Sequence, residues 1–404
     1  MDLGSPIPHD ADSANSLLMR LLACPGVTGE ESPIAELIKN EIASAGVPLT
    51  SILQDDAHKK MGMASACGNV WAYLNGTRSG PPLVFSTHMD TVPLCRGAVP
   101  VLNPIDRVIR PASTTALGGD NRTGCAVLIN LIQVLCGSNQ SISHPPLIFL
   151  FTVREESGLH GARHLDPSWF RGATIGFNVD GGAPGRLVIG AVGAQRWEAE
   201  ISGIASHAGV HPDKGVSATL IMALALAEVR SLGFFGKVSR DGREGSSNVG
   251  IVSGRGGGAV GEATNVVTDF ASIRGESRST DPKLVDEITD AYRRAFQNAV
   301  NQVRTTDGRM GSCQFNDRVE YDAFRLPEDH EVVKRAISAG NRLGIKTALE
   351  VSRGGLDANW LVRHGLNSLT FGAGQHEIHT VNEFVSLDEF HEGCRLAIAL
   401  AIGS

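Results

Sequence analysis

Residues 85–93 read FSTHMDTVP, and the apolar run Pro82-Leu83-Val84-Phe85 leads into them. Such a run, stopping at His88 and Asp90, reads as a strand with both side chains at its end. The side-chain period of a strand is two, so residues separated by one position share a face. A neutral imidazole backed by a carboxylate is the arrangement of a metal-ligating histidine and the group that orients it. Further ligands and a topology that gathers them must then come from the rest of the chain.

Residues 147–153 (LIFLFTV) and 174–179 (TIGFNV) are continuous apolar runs, as expected of central strands covered on both faces. The first empties into Arg154-Glu155-Glu156 and the second into Asp180-Gly181-Gly182. Between them and the opening stretch lies TTALGGDNRTGCAVLINLIQVLC (114–136), whose second half is a helix apolar almost all round, with Asp120 just before it. Thr28 and Glu31 have capping-box spacing, and Pro33 suits a first helical turn. Alternating strands and helices up to about residue 190 predict an α/β layered sheet.

The pattern changes at about residue 191. Residues 195–203 alternate like a strand with one wet face; a helix over 218–232, strands over 248–253 and 266–274, a helix over 281–303 and a strand over 313–321 follow. That order is βαββαβ, a ferredoxin-like α+β unit inserted into the first. The predicted domains are 1–190, 191–323 and 324–404, the last completing the first with a helix at 331–343, a strand near 347–351, a helix at 359–364, a strand at 368–372 and a final helix over 387–402.

Composition bounds the function. The 404 residues are too many for one ordinary core. A net charge of −7, without a dense Lys/Arg run, argues against nucleic acid or an acidic membrane surface as partner. The seven cysteines are scattered and form no CxxC, as expected of free thiols in a reducing, cytoplasmic compartment. No secretory signal and no apolar run of membrane-spanning length is seen.

His88, Glu156, Asp180 and His379 each follow an apolar run, and Asp120 precedes a helix across Gly118-Gly119. In open α/β sheets, sites form outside the carboxyl ends of the strands, so the topology itself would gather these residues. Two His, two Asp and one Glu are a nitrogen/oxygen set that suits Zn²⁺, with Mn²⁺ and Co²⁺ also compatible. Five ligands serve two ions only if one bridges, and Asp120 is the natural bridge. Glu155 and Glu156 cannot both face one ion in an extended chain; Glu156 is read as the ligand, leaving Glu155 to carry protons from an attacking water to a leaving amine.

STHMDTVP, LGGDNRTGCA, FTVREESGLHGA, NVDGG, SHAGVHPDKGVSA and HEIHTVNEFV together resemble the M20 metallopeptidase family, and TTALGGD, VDGG and SRGGLDA resemble its peptidase T branch. The resemblance runs from about residue 15 to the end. It implies a zinc-peptidase-like catalytic domain with a central mixed sheet and an inserted lid domain. It implies that His88 and Asp180 hold one zinc and Glu156 and His379 the other, with Asp120 bridging. Asp90 would orient His88, and Glu155 would be general base and acid. The family's His-x-x-x-Glu pattern fits His379 and Glu383 rather than His376.

In the lid the resemblance assigns substrate contacts to His207, Asn265 and Arg278, with Arg274 as a competing neighbour of Arg278, and a carboxylate grip to Arg353. The activity implied is hydrolysis of short peptides as an aminopeptidase. A carboxypeptidase, a dipeptidase or an N-acyl-amino-acid deacylase would use the same residues, and a silent binding protein would keep the fold. A homodimer formed through the lid is a further expectation. The sequence departs from the pattern at Asn121, where many relatives carry a second acid, and at Ala358.

Overall fold

The structure, a computed structural model, describes residues 9–137 and 142–403. It falls into two compact units: Met1–Gly190 with Arg325–Ser352 and Leu356–Ser404, and Ala191–Phe324 with Arg353–Gly355.

The first unit is built on a nine-stranded sheet. Four neighbours run parallel: Leu147–Thr152, Leu83–His88, Ile175–Val179 and Asn367–Phe371, in that spatial order. Every residue of the first three is buried, which is why they read as mainly apolar runs; the polar Ser86 and Asn178 within them satisfy each other, Ser86 Oγ donating to Asn178 Oδ1 at 3.0 Å. Phe85 sits between Phe149 and Phe177 in register, with ring centroids 6.1 and 5.4 Å away. Each ring removed from water contributes about 1.5–3 kcal/mol.

That register also positions the site. His88 pairs with Thr152 and Val179 with Phe371, so the strands end level with one another. Antiparallel strands flank them: Val70–Leu74 and Ile52–Gln54 on one side, Arg186–Ala191 on the other. The helix Gly119–Gly137 lies on Leu83–His88 and packs against helices Ala11–Ala23 and Leu387–Ile402. Its Gly124 permits the approach: a Cβ there would lie 2.1 Å from Thr87 Oγ1 and 2.7 Å from the Val179 carbonyl oxygen. Asp120 and Asn121, at its start, are not helical, and the peptide bond between them is cis.

Two features of this unit differ from expectation. Residues 100–111 form a hairpin, Pro100–Asn103 with Val108–Pro111, that belongs to a separate four-stranded sheet with Phe384–Ser386 and Gln375–His376. His379 therefore stands in the loop joining two short strands, not directly at a main-sheet strand end. The capping box at Thr28 and Glu31 does not form. The helix spans Ser32–Ser44 with Glu31 at its cap position and no side-chain cap, while Thr28 Oγ1 donates to Ser157 Oγ at 3.0 Å. Tertiary partners outbid the local pattern.

The second unit is a five-stranded antiparallel sheet in the order Gly236–Arg240, Arg243–Ser253, Phe270–Ser279, Gly193–Ser202 and Ser312–Tyr321. Helices Ala218–Ser231 and Pro282–Gln302 bury their apolar faces with Trp197, Ala199, Ile201, Ala271 and Ile273 in one core. Ser217 and Asp281 cap the two helices through backbone amides. The βαββαβ order is present with one strand added at the edge, Gly236–Arg240. It turns back through Asp241-Gly242, both with positive φ, into the next strand. The strand expected at 266–274 begins instead at Phe270 and runs to Ser279.

Candidate metal centre

The level strand ends deliver His88 and Asp180 directly, and Glu155-Glu156 three residues beyond Thr152. Asp180 is fixed by its amide, which donates to the Phe371 carbonyl at 2.9 Å. His88 Nδ1 donates to the backbone carbonyl of Asp90 at 3.1 Å, which leaves Nε2 facing the acids, 3.0 Å from Asp120 Oδ1 and 3.9 Å from Asp180 Oδ1. The other Asp120 oxygen, Oδ2, lies 3.1 Å from His379 Nε2, which is also 2.9 Å from Glu156 Oε1. Each oxygen of one carboxylate thus meets a different histidine.

Ligand atoms of His88, Asp120 and Glu156 all lie within 4.8 Å of one another, and so do those of His88, Glu155 and Asp180. Glu155 therefore lies as close to His88 and Asp180 as a ligand would. Asp90 meets both His88 and the turn that follows Thr152. Its carboxylate is 3.5 Å from His88 Nδ1, and its two oxygens accept the amides of Glu155 (3.0 Å) and Glu156 (3.2 Å).

Charge crowding shifts these groups. Burial, then the charge on Asp120, pushes Asp180 up to about 8. Burial raises Glu156 to about 7 against the His379 hydrogen bond. Burial also holds Glu155 well above the carboxylate range; His88 opposes this, and Asp180, Asp357 and Glu156 add to it. Burial alone would lower His88, but Glu155, Asp120 and Asp90 raise it well above its ordinary value. Hydrogen bonds to Asp120 and Glu156 raise His379 to about 10. Asp120 is lowered: its bonds to the two histidines outweigh its burial. Acids packed this tightly need cations, and a nitrogen/oxygen donor set arranged about a two-sided carboxylate fits a pair of divalent ions.

Three supporting residues carry no sequence period and were not anticipated in these roles. Glu383, 1% exposed, accepts the amides of Leu117 (2.7 Å), Gly118 (2.9 Å) and Asp120 (3.0 Å), and so holds the turn that presents Asp120. Gln375 Nε2 donates to Asp120 Oδ1 at 3.1 Å and to Asp180 Oδ1 at 3.3 Å, while its Oε1 accepts from Thr123 Oγ1 at 2.7 Å. Asp357, buried at the start of the helix Asp357–Arg363, accepts from Thr152 Oγ1; burial raises it to about 6. Asn121 ties the Asp120 turn to the strand before Asp180, its Nδ2 donating to the Val179 carbonyl at 2.7 Å. His376 pairs with Glu389 and stacks on Phe384.

His207, Asn265, Arg278 and Arg353 belong to the second unit. There His207 bridges to Val266, its Nδ1 accepts the amides of Gly209 and Val210 at 3.2 Å, and Ala208 N donates to the Asn265 carbonyl at 2.8 Å. Arg278 makes a bidentate pair with Glu276 at 2.9 and 3.0 Å. Its competitor Arg274 lies 3.9 Å from Glu198. Arg353 is 90% exposed, with Glu244 3.9 Å away.

The profile of the family described as Peptidase family M20/M25/M40 matches residues 84–402. YqjE, an uncharacterized protein of Bacillus subtilis, is 30% identical over 95% of each chain. The crystal structure of the aminopeptidase PepT from Bacillus cereus superposes with a TM-score of 0.83 at 30% identity, covering 98% of both chains. That of a tripeptidase from Staphylococcus aureus gives 0.84 at 27% identity, over 97% of this chain and 98% of the other. This chain belongs to the M20 peptidase family and is a hydrolase of peptide bonds.

Proposed function

We propose that the protein is a two-metal aminopeptidase of short peptides. The observation that carries this reading is the Asp120 carboxylate, whose oxygens lie 3.0 and 3.1 Å from the ring nitrogens of His88 and His379. His88 and Asp180 would hold one ion, Glu156 and His379 the other, and Asp120 both. Zn²⁺ is the first choice for these donors, and Mn²⁺ or Co²⁺ suits them too. When bound, such a pair supplies an acidified water and an electrophile for the scissile carbonyl.

The protein's own residues do the rest. Asp90 fixes His88 and holds the Glu155 and Glu156 amides. Glu155, in the half-buried turn after its strand, takes the proton from the attacking water and hands it to the departing amine; its raised pKa suits both halves of that task. His207, Asn265, Arg278 and Arg353 are the substrate-contacting residues of the second unit, His207 and Arg353 serving a carbonyl and a carboxylate respectively.

Free-amine peptides are favoured over N-acylated amino acids because the relatives at 30% and 27% identity are an aminopeptidase and a tripeptidase. Seven free cysteines support a reducing, cytoplasmic setting; among the described residues no helix is long and apolar enough to cross a membrane. The exposed sheet edge or the helices of the second unit would pair two chains, and light scattering decides that point.

The test is hydrolysis of free-amine tripeptides and their N-acetyl counterparts by metal-loaded wild type and Glu155→Ala. We expect cleavage of the free-amine series and a loss of about 10²–10⁴-fold in kcat for the variant. Wild type inert on every free-amine peptide, or a variant as active as wild type, contradicts the proposal.

A further inference from the structure

The turn that carries Glu155 and Glu156 is held by side chains at four consecutive amides. Val153 N donates to Asn69 Oδ1 at 3.1 Å, Arg154 N to Glu31 Oε1 at 3.2 Å, Glu155 N to Asp90 Oδ1 at 3.0 Å and Glu156 N to Asp90 Oδ2 at 3.2 Å. Glu31, Asn69 and Asp90 are each 0% exposed. Arg154, between them, has φ 53°, a left-handed conformation that a residue with a Cβ keeps only when its surroundings impose it.

This backbone reversal separates two adjacent side chains. Glu155 goes to His88 and Asp180, and Glu156 to Asp120 and His379. In an unbroken strand they would point to opposite faces of the sheet.

Glu31 is buried for no reason of its own helix. It occupies the cap position of Ser32–Ser44, yet its side chain accepts no hydrogen bond from that helix. Its Oε1 turns back to Gly29 N at 2.6 Å and across to Arg154 N, while Oε2 has no partner among the described residues. A buried carboxylate needs compensating hydrogen bonds, and the Gly29 and Arg154 amides supply them. Asn69 is similarly anchored: its Nδ2 donates to Asp55 Oδ2 at 2.8 Å and to the Gly161 carbonyl at 3.0 Å. Asp55 Oδ2 also receives Trp71 Nε1 at 2.9 Å, which ties the clamp to the core.

We propose that Glu31 and Asn69 are positioning residues for catalysis, accepting the Arg154 and Val153 amides and so fixing the left-handed turn that sends Glu155 to the proton-transfer position. The inference rests on the role given to Glu155 above.

The experiment compares Glu31→Leu, Glu31→Gln and Glu155→Ala, each metal-loaded, on a free-amine tripeptide across the pH range of activity. Leucine fills the space without an acceptor, whereas glutamine keeps the carbonyl oxygen that Arg154 N needs. The expected result is a kcat about 10–100-fold lower for Glu31→Leu, with KM and metal content little changed and a displaced pH profile, and recovery to within a few-fold by Glu31→Gln. Folded Glu31→Leu with wild-type kcat, or Glu31→Gln as impaired as Glu31→Leu, overturns the inference. Full activity in Glu155→Ala overturns the role of Glu155 instead, so the two failures are distinguishable. If Glu31→Leu does not fold, hydrogen exchange in the wild type decides. The amides of residues 153–156 should exchange more than about a hundredfold slower than in an unstructured chain, and unprotected exchange refutes the clamp.

Discussion

Replacing Glu383 with alanine removes the acceptor of three backbone amides at once, those of Leu117, Gly118 and Asp120, at 2.7, 2.9 and 3.0 Å. The side chain is 1% exposed, so the three donors are left in a site that water reaches only through the space vacated. A hydrogen bond to a charged group contributes about 1.5–3 kcal/mol, and the three share one carboxylate, so their loss is less than the sum. We expect about 3–5 kcal/mol of destabilisation, the range for breaking a buried charged contact on one side. For a domain of this size that lowers the melting temperature by roughly 10 °C.

The same loss loosens the Asp120 turn, so metal affinity should fall about 10–100-fold. Calorimetric melting with and without added zinc measures both effects; the transition that zinc shifts belongs to the unit holding the site. Glu383→Gln, which keeps one acceptor oxygen and turns an amide toward a donor, should fall between. A Glu383→Ala protein that melts with the wild type and binds metal equally well would refute the assignment of Glu383 as the support of Asp120.

Two further outcomes follow from the shifted groups. Glu156, Asp180 and His379, raised to about 7, about 8 and about 10, and His88, raised well above its ordinary value, carry protons that a metal must displace. Affinity should therefore rise with pH through this range, and titration calorimetry near pH 7 should show about 3–4 protons released per chain; heats independent of buffer ionisation would contradict it. His391, next to His9 with Nδ1 2.8 Å from His9 Nε2, is lowered to about 4, by burial first and then by the charges of His9, Arg107 and Arg395, with Asp388 opposing. The unfolded chain then binds the extra proton between about pH 6.5 and 4, so stability is complete above that window and is lost as pH falls through it, by about 1–2 kcal/mol after solvent screening. A His391→Gln variant should lose less stability on acidification than the wild type, and an equal loss refutes this.

The strands that end at His88, Thr152 and Val179 could be read because covered parallel strands are mainly apolar, and charged residues appear only where they emerge. The same rule located His88, Glu155, Glu156 and Asp180. Asp120 was visible through the Gly-Gly step before a buried helix. Glu383, Gln375, Asp357 and Glu31 were not legible in their supporting roles, because each acts through a hydrogen bond to a distant partner and leaves no period. Glu383 lies 263 residues from Asp120 in the chain. At Thr28 and Glu31 a local pattern was present and lost to tertiary partners. The added edge strand had a signal, Asp241-Gly242 between two alternating segments, that was submerged in a glycine-rich stretch.

Metal content distinguishes a two-ion site from a one-ion site. After loading and removal of free ions, elemental analysis should find two divalent ions per chain in the wild type and in Glu155→Ala, and one or fewer in Asp120→Asn, because the two-sided carboxylate is what lets five ligands serve two ions. One ion or fewer in the wild type, or two retained by Asp120→Asn, would contradict the account.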